Sequence, residues 1–115
     1  MTNQLVLHMA KELQVASKKN KAPIWSRLAE MALKPARARK VLNLGQLDKF
    51  VSDNDVVVVP GKVLGTGNIS HKITLCSFSI STSGAKKVAQ SGGKIIDFSQ
   101  LIKNHPTGKG VRIIV

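Results

Sequence analysis

The stretch Lys34-Pro35-Ala36-Arg37-Ala38-Arg39-Lys40 holds four cations in seven residues, with no acid and no large apolar side chain. Such a density of ammonium and guanidinium groups supports one chemistry, the pairing of closely spaced anions, and a guanidinium grips a phosphate through two parallel hydrogen bonds. In an extended chain Arg37 and Arg39 project to the same side, a spacing suited to adjacent phosphates. A charge run is first read as a solvated linker; the lack of any neighbouring acid favours phosphate contact here. Lys18, Lys19 and Lys21 close a helical stretch, where the negative end of the helix dipole already welcomes cations, so both roles are expected of them. Arg27 and Lys34, seven residues apart, share a helix face opposite the apolar stripe and suit an RNA groove. Lys62, Lys72 and Lys109 lie on glycine-punctuated loops.

Other chemistries find less support. Gly61, Gly65 and Gly67 invite a phosphate-cradling reading, but Gly65-Thr66-Gly67-Asn68-Ile69-Ser70 lacks the third glycine of a dinucleotide fingerprint, and no Gly-Lys-Ser/Thr follows. Two readings remain for this segment, tight turns with positive φ or a close backbone approach to RNA aided by Lys62 and Lys72. His8, His71 and His105 fall in separate segments with no carboxylate close in sequence, so no metal site is expected. Cys76 excludes an internal disulfide and reads as a small buried hydrophobe. Ser79, Ser81 and Ser83 lack a nucleophile elbow and suit the capping of a following helix. Trp25 stands beside an apolar stripe, which places it in the core rather than on a base. Neither a catalytic constellation nor a cofactor site emerges.

These side chains need a scaffold, and 115 residues suffice for one core. Apolar residues make up 43% and aromatic ones only 3%, so Val, Ile, Leu, Met and Ala must fill it. Eighteen Lys and Arg against six Asp and Glu leave +12, a self-repulsion that calls for a polyanion. Residues 1 to 40 hold nine cations and two acids (+7), residues 41 to 115 nine and four (+5). No apolar run approaches the ~20 residues of a membrane span, and no secretory signal opens the chain; a soluble protein without membrane contact is expected.

Apolar spacing at Leu5, Met9, Leu13 and Ala16 predicts a first helix to about Lys18, with Asn20 as its C-cap. Pro23 opens a second, with Ile24, Leu28 and Met31 on its face, and Pro35 stops it. The pattern then changes. Strands are predicted at Val41–Leu44, Val56–Val59, Ile73–Ile80, Lys94–Asp97 and Val111–Val115, and short helices at Leu44–Val51, after Ser81–Ser83 up to Gly92-Gly93, and at Phe98–Lys103. Lys62, Val63 and Leu64 are placed between two tight turns. The expectation is a single α/β domain: two N-terminal helices (1–33), a basic extended segment (34–40) and a body (41–115) of irregular strand-strand-helix turns.

Val58-Val59-Pro60-Gly61-Lys62-Val63-Leu64-Gly65-Thr66-Gly67, then Ile73-Thr74-Leu75, Phe78-Ser79 and Ser91-Gly92-Gly93-Lys94, taken in this order, resemble the archaeal and eukaryotic "eighteen-e" family of large-subunit ribosomal proteins. That family shares its fold with the bacterial ribosomal protein numbered fifteen. The resemblance spans nearly the whole chain. It implies a cytoplasmic, ribosome-bound protein, archaeal in source, that contacts large-subunit ribosomal RNA and neighbouring ribosomal proteins, with no catalytic activity, cofactor or small-molecule substrate. Two other functions would fit the composition without it: a non-ribosomal RNA- or DNA-binding protein, and a small nucleotide-binding enzyme using the glycine turn.

Overall fold

The computed structural model describes the backbone of residues 4–34 and 40–114 and the side chains of 7–34 and 41–114; the predicted basic segment from Pro35 to Arg39 lies outside them. The described residues fall into two compact units, one built from 4–34 and 98–109, the other from 40–97 and 110–114. The architecture is α/β.

In the helical unit, α1 (Gln4–Asn20) and α2 (Pro23–Leu33) pack against each other, and α5 (Phe98–Asn104) packs against α1. Along α1 the buried positions are Ala10, Leu13 and Ala16, the spacing of one helix face. On α2 the buried side chains are Trp25, Leu28, Ala29 and Ala32, while Ile24 and Met31 are half-buried. The stripe is thus turned away from the predicted Ile24-Leu28-Met31 line and runs instead through Trp25, Leu28, Ala29 and Ala32. Trp25 is 0% exposed, and its indole Nε1 donates to the Pro106 carbonyl at 2.7 Å, as a buried indole N–H requires. The turn after α5 also leans on α2: a Cβ at Gly108, where φ is +77°, would lie 2.6 Å from Ile24 Cγ2.

α1 ends at Asn20, the predicted C-cap: Lys21 just beyond it takes the left-handed conformation (φ +50°), and Ala22 N–H donates to the Ser17 carbonyl at 3.1 Å, closing the 6→1 bond of a Schellman end.

The sheet unit carries five parallel strands, β1 (Lys40–Asn43), β2 (Val56–Leu64), β3 (Thr74–Ile80), β4 (Lys94–Ile95) and β5 (Val111–Ile113). The path runs β1-β2-β3-β4, with β5 also on β2. β1 pairs with Gly61–Leu64 and β5 with Val56–Val58, so two short strands share one side of β2. Here the structure corrects an expectation. Lys62, Val63 and Leu64 do not sit between turns; they continue β2, and the Pro60-Gly61 pair is absorbed by a register shift between Val59 and Lys62. Proline cannot donate to a ladder, and a bulge is where a strand tolerates it.

α3 (Leu44–Asp48) starts from a capping box: Asn43 Oδ1 accepts from Gln46 N–H at 2.8 Å, and Gln46 Oε1 accepts from Asn43 N–H at 3.1 Å. α4 (Thr82–Gln90) is capped by Ser81, whose Oγ accepts from Gly84 N–H at 3.2 Å, as predicted for this serine run. Gly92 (φ +86°) ends it, and Gly93 crosses Ile73 so closely that a Cβ would lie 2.4 Å from the Ile73 carbonyl oxygen. Leu42, Leu44, Leu47, Val57, Val59, Val63, Ile73, Leu75 and Val88 form the core between the sheet and these helices. Val58 and Cys76 are in register and buried on the opposite side of the sheet.

Candidate nucleic-acid interface

The cations named from sequence are exposed wherever their side chains are described: Lys18, Lys19, Lys21, Arg27, Lys34 and Lys109 in the helical unit, Lys62 and Lys72 in the sheet unit. Arg37 and Arg39 lie outside the described residues; Lys40 opens β1 opposite Gly61. Among the described residues, Lys18, Lys19, Lys21, Arg27, Lys62, Lys72 and Lys109 make no salt bridge. Lys18 and Lys19 occupy the last turn of α1, with Lys21 in the left-handed residue just beyond. Lys62 follows the bulge and is in register with Val41 on β1 and Ser79 on β3, so these three point to one exposed sheet face. Lys72 is held from both sides: its N–H donates to Asp53 Oδ1 at 3.2 Å, and its carbonyl accepts from Asn54 N–H at 2.6 Å.

The acids of the sheet unit are engaged in internal clips instead. Asp48 receives Ser70 N–H at 2.9 Å, the Ser70 hydroxyl at 2.8 Å and His71 Nδ1 at 2.7 Å. Partial burial works to raise the Asp48 pKa, but these hydrogen bonds and the charge of His71 together hold it below the ordinary value of 3.8. Asp55 accepts Ser52 N–H at 2.8 Å and Arg112 Nη1 at 2.9 Å; the Ser52 bond foremost, against partial burial, keeps its carboxyl below the ordinary range. Asp48, Asp53 and Asp55 are thus tied to a hydroxyl, backbone amides, His71 and Arg112, while the exposed Lys62, Lys72 and Lys94 make no salt bridge among the described residues.

Sequence reasoning missed the Asp48-Ser70-His71 cluster, because the carboxylate lies 22 and 23 positions from its partners. It has the residue types of a hydrolase triad but not the wiring. A relay needs the carboxylate on one ring nitrogen and the serine on the other; here His71 Nδ1 faces Asp48 at 2.7 Å and Ser70 Oγ at 3.5 Å, and Ser70 donates straight to Asp48. The cluster ties the loop at Ser70 to the end of α3. Cys76 is buried and its thiol is pushed up to about 12, first by desolvation and then by the charge of Asp97, so it supplies no thiolate at neutral pH.

The glycine loop also has an internal explanation. Gly67 takes φ +80°, and a Cβ there would lie 2.8 Å from Gly45 Cα; at Gly65 it would lie 2.7 Å from Gly84 N. Lys87, absent from the sequence-derived set, donates its Nζ to the carbonyls of Gly65 (2.7 Å) and Gly67 (2.6 Å). A phosphate cradle directs amides at its ligand; this loop directs carbonyls at an ammonium, which disfavours the nucleotide-binding reading. Among the described residues no group of three or more His, Cys, Asp or Glu could hold a metal ion, and no helix is long and apolar enough to cross a membrane.

Lys94 was missed as well. It follows Gly92-Gly93 at the start of β4, in register with Thr74, and its exposed side chain lines the same groove as Lys72. The Gly-Gly-Lys run was the available signal, since a helix ended by glycines before a strand delivers the next residue to the strand's entrance.

No family model matches the chain. It is similar to the large ribosomal subunit protein eL18 of Pyrobaculum aerophilum, with 39% identity over 114 residues, 99% of this chain and 93% of that protein. The eL18 of Sulfurisphaera tokodaii is 41% identical over 106 residues (92% and 90%), and that of Archaeoglobus fulgidus 39% identical over 99 residues (86% and 85%). These relatives are archaeal, as the motif resemblance implied, and near-complete alignment at this identity settles the assignment: the chain belongs to the eL18 family of large ribosomal subunit proteins.

Proposed function

We propose that the protein is a structural, non-enzymatic constituent of the cytoplasmic large ribosomal subunit and binds large-subunit ribosomal RNA mainly through phosphate contacts. The observation that carries this reading is the separation of charge: Asp48, Asp53 and Asp55 are consumed by internal hydrogen bonds, while the exposed lysines around them are left without ionic partners among the described residues. Phosphates would then supply the anions that a net charge of +12 lacks. Lys18, Lys19, Lys21, Arg27, Lys34, Arg37, Arg39, Lys40, Lys62, Lys72 and Lys109 are the contacts proposed, with shape and not base sequence selecting the site. Neighbouring large-subunit proteins are the partners proposed for exposed apolar side chains such as Val41 (59%) and Phe50 (54%).

The test is recovery of RNA with the affinity-tagged chain from lysate. Large-subunit ribosomal RNA should dominate, and Arg37→Ala/Arg39→Ala/Lys40→Ala should weaken binding about tenfold or more, roughly 1.4 kcal/mol, with little change in Tm. Recovery of DNA or of unrelated RNA would favour the non-ribosomal reading instead.

A further inference from the structure

The sheet unit contains a polar groove of about 390 Å³ bordered by Asn54, Lys72, Thr74, Gly92, Gly93 and Lys94. Its two cations come from different places in the chain, one from the loop before β3 and one from the start of β4, and the lining includes no acid. Both are mounted on fixed backbone. Lys72 is clasped by the Asp53-Asn54 turn, in which Asn54 takes the left-handed conformation (φ +68°), and Lys94 N–H donates to the Ile73 carbonyl at 3.0 Å. The backbone amides of this wall are already spent: Gly92 N–H goes to Ala89, Gly93 N–H to Val88 and Thr74 N–H to Asp55. What the groove offers a ligand is therefore two ammonium groups, the Asn54 amide and the Thr74 hydroxyl.

Gly92 lines the groove without a side chain: its φ of +86° suits glycine, and a Cβ there would sit in ordinary contact, 3.8 Å from the Lys72 stem. Two like charges lining one concave polar surface repel each other, and an anion seated between them would relieve that repulsion. We infer that this groove is a phosphodiester-binding site, in which one backbone phosphate of the RNA is held jointly by Lys72 and Lys94, with Asn54 and Thr74 donating to its oxygens or to the adjoining sugar. The inference rests on the RNA-binding reading above and adds to it a defined pocket and a residue, Lys94, outside the set read from sequence.

The test compares salt titrations of full-length protein on large-subunit RNA for the wild type, Lys72→Gln/Lys94→Gln, and the control Lys49→Gln/Lys86→Gln, whose exposed lysines lie outside the groove. Loss of one shared phosphate should make the slope of log K against log salt shallower by about 1 in the groove variant and should weaken binding about tenfold at ~0.1 M salt. Lys72→Arg/Lys94→Arg should keep the wild-type slope, and Tm reports folding for every variant. A groove variant with the wild-type slope, or a control that loses as much as the groove variant, overturns the inference while leaving RNA binding intact. A wild-type slope near zero overturns the RNA reading itself.

Discussion

In the helical unit Lys18 and Lys19 stand at the end of α1 and Arg27 on the exposed side of α2, and these three make no salt bridge among the described residues. In the sheet unit comparable charge is mounted on a bulged strand, a clasped loop and a strand entrance, each tied by strand pairing or a backbone hydrogen bond to residues about 20 positions away. The first arrangement suits an adaptable electrostatic surface and the second a shaped one. The comparison teaches that one net charge can be mounted in two ways within a single chain, and the phosphate contacts proposed above would draw on both.

The largest expected effect breaks the helical side. Trp25→Ala should cost about 3–5 kcal/mol, the range for truncating a large buried aromatic, read by urea unfolding, whereas Trp25→Phe should cost about 1 kcal/mol by orphaning the Pro106 carbonyl. Equal losses would mean that the indole bond, and not packing, holds the α2 face to the turn after α5. On the sheet side Gly93→Ala should cost about 1–3 kcal/mol, since a Cβ has no room beside the Ile73 carbonyl; thermal melts showing no change would remove the close crossing that positions Lys94.

Asp48→Asn sharpens the comparison through pH. The folded Asp48 pKa is held below its ordinary value of 3.8. Its contribution is therefore present above about pH 4 and is lost as pH falls through the folded value. The wild type should lose part of its stability on acidification that Asp48→Asn lacks, and at pH 7 the variant should be weaker by roughly 1 kcal/mol. The smallest effect on stability belongs to Lys18→Ala and Lys19→Ala, about 0.3–1 kcal/mol each from the helix dipole, with a loss of RNA affinity larger than this; a loss confined to stability would leave these lysines a capping role alone.

Local signals carried most of the fold. The helices of the first 34 residues and the strands at Val56, Thr74 and Val111 followed from apolar spacing, Ser81 from its place before a helix, and Gly92-Gly93 from theirs after it. Long-range contacts stayed hidden. Nothing near Asp48 announces Ser70 and His71, and nothing near Lys87 announces the Gly65 and Gly67 carbonyls, because parallel strands join residues across crossovers of some 20 positions. The Pro60-Gly61 pair misled for a related reason: as local punctuation it reads as a turn, and only the neighbouring strands show that β2 runs through it with a bulge. The exposed cations could be named one by one, but their grouping, including the pairing of Lys72 with Lys94, needed the fold.

Phosphate pairing is the role proposed for Lys18, Lys19, Lys21, Arg27, Lys62, Lys72 and Lys109, which make no salt bridge among the described residues. Its most direct measurement is the salt dependence of wild-type binding to large-subunit ribosomal RNA between 50 and 200 mM. With roughly 6–10 phosphate contacts, affinity should fall by about 10³–10⁵ on the scale calibrated for DNA. A flat response over that range would contradict the account.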